Sequence, residues 1–110
     1  MKLYGLKNCD SCKKTLKALQ SSGHSVEFID LRATSVSIEQ LQKWLDEHGD
    51  AVLVNRKSTT WRGLDDQARQ QPVLALLMAN PTLIKRPVIE SGENSFVGWT
   101  AEVQTALGLT

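Results

Sequence analysis

Apolar residues in this chain fall into two kinds of spacing. Residues 2–6, KLYGL, set Leu3 and Tyr4 in a short run, and residues 26–31, VEFIDL, alternate around Val26 and Phe28; both stretches predict strands. Between them Cys12, Leu16 and Leu19 recur at helical spacing, Asp10 and Ser11 suit a first turn, and Gly23 supplies a stop. The order is strand, helix, strand, a βαβ unit with two cysteines where its helix begins.

Further on, SVSIEQLQKWLDEHG predicts a helix with Ser37 and Gln40 as a capping box, Ile38, Leu41, Trp44 and Leu45 on one face, and Gly49 as the exit. The short AVLV at 51–54 leads into NRKSTTWRG, which reads as a polar loop, and Asp65 and Asp66 stand near a helix start. PVLALLMANP predicts a buried helix opened by Pro72 and stopped at Asn80, before Pro81. KRPVIE, the turn SGEN and SFVG predict a hairpin, after which Thr100 caps a closing helix through Val103 and Leu107, with Gly108 at its end. The order becomes β-α-β, two or three helices, then β-β-α.

A chain of 110 residues, 41% hydrophobic and 23% charged, supports one modest core, so a single domain over 1–110 is expected. The formal net charge is +1, with lysines and arginines scattered along the chain, which offers no argument for nucleic-acid binding. No apolar run is long enough to span a bilayer, and the opening MKLYGLKNCD lacks the apolar stretch of a secretory signal, so a cytoplasmic location without membrane contact is expected. Thiols stay reduced there. A lone cysteine pair then points to catalysis, redox sensing or metal binding before it points to a structural disulfide.

The pair is Cys9 and Cys12 in KNCDSCKK. A sulfur at a helix N-terminus meets unpaired backbone N–H groups and the positive end of the dipole, and it attacks as the thiolate, so Cys9 is expected to be unusually acidic. Lys7, Lys13 and Lys14 add positive potential, and Asp10 opposes it. Cys12, one turn on, can resolve a mixed disulfide at Cys9, although it also shares the Leu16 and Leu19 face and so belongs partly to the core. A structural zinc site would need four ligands, and beyond the cysteines only His24 and His48 remain, at the wrong spacing. Both histidines close helices and read as caps.

A second set of candidates is cationic. Pro87 starts a strand, where it serves as an entry device, but a cis Arg86–Pro87 bond would turn backbone polar groups toward the thiol and let Arg86 reach an anionic ligand or the thiolate. Arg56 and Lys57 lie in a polar loop, and the planar fork of arginine suits carboxylates such as the two of glutathione. Lys7 and Asn8, directly before Cys9, join Arg56, Arg86 and Pro87 as the residues expected around a bound substrate. Trp44 reads as core, Trp61 and Trp99 as packing near loops, and Asp65 and Asp66 as helix N-terminal charges.

The opening Y-x(4)-C-x-x-C-K-K at Tyr4 to Lys14, together with NPTLIKRPVI at 80–89, resembles the arsenate reductase family of the glutaredoxin-linked type and its Spx and YffB relatives. The similarity runs from Lys2 to the closing helix. It implies a thioredoxin-like α/β fold, a four-stranded mixed sheet with a helical insertion at about 35–82. It also implies a nucleophile at Cys9, arginines at Arg56 and Arg86, and a cis-proline at Pro87. The third arginine of the arsenate reductases should fall in SFVGWTAE, which has none, and Cys12 stands where those enzymes usually carry serine. YffB-like proteins are the nearer match.

What the resemblance implies is therefore a thiol-disulfide oxidoreductase that uses glutathione as co-substrate, needs no metal, and acts on a small thiol or disulfide substrate or on a protein disulfide. An Spx-like redox-sensing regulator that binds RNA polymerase is the alternative, against which the chain's stop at Thr110, just after the last helix, counts; arsenate reductase is the further one.

Overall fold

Leu3 is completely buried, with Phe28 beside it on one neighbouring strand and Ile89 on the other, and Phe96 continues the row beyond Ile89. The computed structural model in which this row is seen describes residues 1–109. Its strands are β1 (Lys2–Gly5), β2 (Glu27–Asp30), β3 (Val88–Ser91) and β4 (Asn94–Val97), in the sheet order β2-β1-β3-β4. β1 and β2 are parallel, and the other two pairings are antiparallel. The sheet is thus mixed, as a thioredoxin-like fold requires. A parallel pair cannot be joined by a tight turn, and α1 (Asp10–Ser21) makes the crossover.

The sheet, α1 and the closing helix α7 (Ala101–Ala106) belong to one compact unit, residues 1–34 together with the stretch from Arg86 onward. Side chains alternate across a sheet, so one row meets one set of helices. Leu3 and Ile89 pack with Cys12 and Leu19 of α1 and with Val103 and Leu107 at α7. Both helices end alike. His24 N–H bonds to Leu19 O and Gly23 N–H to Gln20 O at 3.1 Å each, with Gly23 at φ 91°, which is the Schellman pattern that satisfies the last carbonyls. Leu109 N–H to Gln104 O and Gly108 N–H to Thr105 O repeat it after α7. Between β3 and β4, Gly92 at φ 62° is followed by Glu93 without a positive φ, the backbone of a type II′ hairpin turn. Thr100 caps α7 by accepting from Val103 N–H at 3.2 Å.

Residues 35–85 form a second compact unit. It contains α2 (Ile38–His48), α3 (Asp50–Leu53), α4 (Thr59–Arg62), α5 (Asp66–Arg69), α6 (Val73–Ala79) and a 3₁₀ turn at Pro81–Leu83. Its core holds Leu41, Trp44, Leu53, Leu76, Leu77, Leu83 and Ile84. Ser37 caps α2, accepting from Gln40 N–H at 3.1 Å, and Asp65 caps α5, accepting from Ala68 N–H at 2.7 Å. Residues 51–54 divide between a helical turn and an antiparallel bridge from Val54 to Ile84, which Asn55 N–H to Leu83 O and Lys85 N–H to Leu53 O reinforce at 2.7 Å each.

Three readings of this stretch need correction. Ile38 is 54% exposed, because it opens α2 and the buried stripe begins at Leu41. α6 is amphipathic rather than buried throughout, with Leu76 and Leu77 inside and Met78 40% exposed. The loop NRKSTTWRG contains α4, which Ser58 caps by accepting from Trp61 N–H at 3.1 Å. A turn of four residues is too short to leave a periodic signal, and its cap decides it.

Gly5 explains how Cys12 fits beneath the sheet. A β-carbon at position 5 would run into the Cys12 sulfur and lie 3.1 Å from its Cβ. Gly5→Ala should therefore cost about 1–3 kcal/mol through overpacking. Urea denaturation checks it, and an unchanged midpoint would show that Cys12 has room to move.

Candidate active site

The polypeptide leaves β1 at Gly5, turns so that Cys9 N–H reaches Leu6 O at 3.1 Å, and enters α1 with Cys9 as the N-cap residue. Cys9 has extended backbone angles, φ −90° and ψ 118°, and its carbonyl accepts from Lys13 N–H at 3.0 Å. Its side chain makes no capping hydrogen bond. Cys9 is half-buried, Cys12 is fully buried, and both thiols are free.

These positions push the two sulfurs apart in acidity. Burial of Cys9 disfavours its thiolate, but the Cys12 backbone N–H, the Cys12 thiol, the Arg86 guanidinium and the Ser11 backbone N–H together outweigh it, and the pKa falls below its ordinary value of 9.0. Cys12 moves the other way. Burial pushes its thiol up to about 11, the Leu6 backbone N–H offsets part of this, and the neighbouring Cys9 adds to it. The inner sulfur therefore holds its proton more tightly than an ordinary thiol, and the outer sulfur gives its proton up more readily.

The expected electropositive setting is present, with its sources redistributed. Helix-terminal amides contribute as expected. The cation that lowers Cys9 is Arg86, reached through the fold, whereas Lys7 and Asn8 are exposed on the turn before Cys9. Arg86 is half-buried, and its bond to the buried Pro87 is cis. Pro87 O accepts from Gly98 N–H at 2.8 Å, which ties the start of β3 to the residue after β4. Cys9, Cys12, Arg86 and Pro87 are thus gathered by β1, α1 and β3 at one end of the first unit.

Arg56 lies in the second unit. Its Nη2 is 3.5 Å from Asp50 Oδ2 and its guanidinium carbon 5.4 Å from the Trp61 ring centre. With Lys57 and Lys85 it lines a cavity of about 270 Å³. Arg69, which sequence reasoning passed over, sits 5.3 Å from the same ring centre and donates from Nη2 to Trp61 O at 3.0 Å. No spacing rule links residues 61 and 69 across two separate helical turns, so nothing along the chain announced this stack. Gly5 did leave a signal, since a glycine inside a strand pattern marks close approach of another group. Among the described residues no three of the His, Cys, Asp and Glu side chains gather into a metal site, and no helix is long and apolar enough to cross a membrane.

The raised inner thiol carries a stability consequence. An unfolded Cys12 loses its proton near 9.0 and the folded one near 11, so between those values the unfolded state binds fewer protons and stability falls as pH rises. Tyr4, whose hydroxyl donates to Glu90 Oε1 at 2.7 Å, is raised by burial first and by Glu90 second, and acts in the same direction from its ordinary 10.0 upward. The slope should reach up to about 1.4 kcal/mol per pH unit for each group that retains its proton. Urea titrations above pH 9 check this, and Cys12→Ser should remove the component that begins near 9.0.

A model of the ArsC family matches residues 4–107. An uncharacterized protein of Haemophilus influenzae is 39% identical over 101 residues, 88% of this chain and 89% of the relative. A solved structure named YFFB protein is 34% identical and superimposes with a TM-score of 0.89 over 96% of both chains. The global transcriptional regulator Spx 1 of Oceanobacillus iheyensis is 26% identical over 107 residues, 91% of this chain and 80% of the relative.

Proposed function

The chain belongs to the ArsC family, and from that premise we propose a glutathione-dependent thiol–disulfide oxidoreductase with Cys9 as its nucleophile. The observation that carries this reading is the half-buried sulfur of Cys9 at the start of α1, made more acidic by the amides of Cys12 and Ser11 and by Arg86. Thiolate at neutral pH is what nucleophilic attack on sulfur needs.

In the first step Cys9 thiolate attacks one sulfur of a substrate disulfide. A Cys9–substrate disulfide forms, the substrate's own S–S bond breaks, and the departing thiolate takes a proton from water. In the second step either Cys12 or glutathione, as thiolate, attacks the Cys9 sulfur and releases the remaining substrate thiol. Further glutathione returns the enzyme to two thiols and leaves as glutathione disulfide, so two electrons pass from two glutathiones to one substrate disulfide. Cys12, fully buried with a thiol near 11, is poorly poised to start the cycle, and it acts first by donating a hydrogen bond to Cys9.

Arg86 supplies positive charge to the thiolate and, with Pro87, Asn8 and Lys7, would flank the glutathione backbone and carboxylate. A reducing cytoplasm is the proposed setting. Turnover of hydroxyethyl disulfide with glutathione, coupled through glutathione reductase to NADPH, is the test. Glutathione-dependent turnover is expected, and a Cys9 that alkylates readily while turnover stays at the uncatalysed level would overturn the reading.

Similarity to Spx 1 favours a second reading, a redox-sensing regulator. Capture of the C-terminal domain of the RNA polymerase α chain under oxidising but not reducing conditions would support it. Arsenate reduction lacks a third guanidinium in SFVGWTAE, a charge-assisted hydrogen-bond partner worth about 1.5–3 kcal/mol, and is the weakest of the three.

A further inference from the structure

Beside Cys9 the surface holds a depression of about 220 Å³ lined by Leu6, Lys7, Lys13, Leu16 and Phe28. Its floor is apolar. Leu16 and Phe28 are only partly covered although both pack against the core cluster, and the two exposed lysines stand at the rim. Among the described residues no acidic one lines it.

Backbone hydrogen bonds fix its position relative to the nucleophile. Leu6 O accepts from Cys9 N–H at 3.1 Å, and Lys13 N–H donates to Cys9 O at 3.0 Å, so the residues on either side of the depression are bonded directly to Cys9. Cys9 itself does not line the depression, but a polypeptide segment joined to its sulfur can extend from there onto this neighbouring surface. The volume suits one aliphatic or aromatic side chain, and the cationic rim suits carboxylates next to it.

We infer that this depression is the specificity subsite for a protein disulfide whose cysteine lies close to a large apolar residue flanked by aspartate or glutamate. The inference rests on the oxidoreductase reading for its chemistry, and it names a substrate class for that site: an acidic, apolar-anchored polypeptide segment rather than a small disulfide. The redox step is the same thiol–disulfide exchange at Cys9, with the segment's disulfide as the oxidant and two glutathiones as the reductant. Lys7 and Lys13 act in recognition, since a charged rim selects partners by sign.

Two measurements test it. In the first, the enzyme reduces either a peptide disulfide presenting leucine flanked by aspartates or the same peptide with lysines for the aspartates, and the ratio of kcat/KM values is read. A preference of roughly fivefold for the acidic peptide is expected, the scale of two exposed ion pairs acting together. Lys13→Glu and Lys7→Glu should each lower or invert that ratio, which cancels any change in Cys9 reactivity. Equal rates for both peptides, or a ratio untouched by either substitution, overturns the inference. In the second, the acidic peptide with serine for its cysteine is titrated into the labelled protein. Amide shifts at Leu16 and Phe28 are expected, and their absence at millimolar peptide also overturns it. Shifts without turnover of any disulfide would leave the subsite standing and remove the oxidoreductase reading instead.

Discussion

Cys9→Ser is expected to lower glutathione-dependent disulfide reduction by roughly a hundredfold or more, because a hydroxyl at the start of α1 cannot become the anion that a thiol becomes there. Cys12→Ser should be much milder if glutathione resolves the mixed disulfide. A serine at position 12 keeps a hydrogen-bond donor, so the amides and Arg86 still favour the Cys9 thiolate. The coupled assay separates the cases: equal losses would mean that Cys12 is the obligatory resolving thiol, and no loss in Cys9→Ser would exclude Cys9 as the nucleophile. Alkylation adds an independent reading. At neutral pH Cys9 should label quickly and Cys12 slowly, since one thiol is half-buried and lowered while the other is fully buried and near 11.

Leu3→Ala should be the most damaging single change to the first unit, at about 2–5 kcal/mol. Leu3 has no exposed surface, is one of the two inner members of the row from Phe28 to Phe96, and shares its cluster with Cys12, Leu19 and Val103. The cavity would open beside the inner sulfur. Against total stabilities of about 5–15 kcal/mol for ordinary domains this is a large fraction, to be read as a shift in the urea midpoint. A loss below about 1 kcal/mol would mean that α1 or α7 collapses into the gap.

How much of this was legible along the chain depends on the length scale of each signal. The strands, α1, α2, the hairpin and α7 carried alternation, periodicity and caps, and each appears where those marks fall within a residue or two, except that β3 begins at Val88, three residues after the start of KRPVIE. The short turns α3 and α4 did not, because four residues hold about one helical turn, and α5 was marked only by Asp65 and Asp66 near its start, where Asp65 caps it. Ile38 reads as core by spacing, yet at the first position of α2 it lies beyond the stripe that Leu41 begins. At the site, the acidity of Cys9 followed from its place before a helix. The identity of its cation did not, since lysines adjacent in sequence point to solvent while Arg86 arrives through strand pairing across more than seventy residues. The Arg56–Trp61–Arg69 stack is tertiary in the same sense.

The N-cap position of Cys9 has one more consequence. Serine, threonine or aspartate there would close the first turn of α1 with its own oxygen, whereas the neutral sulfur leaves that turn without such a clasp. Ionisation of the thiol supplies the missing clasp, and alkylation or disulfide formation takes it away. The fraying of one helix end therefore reports the redox history of a single atom, and amide exchange at Ser11 and Cys12 is where it can be read.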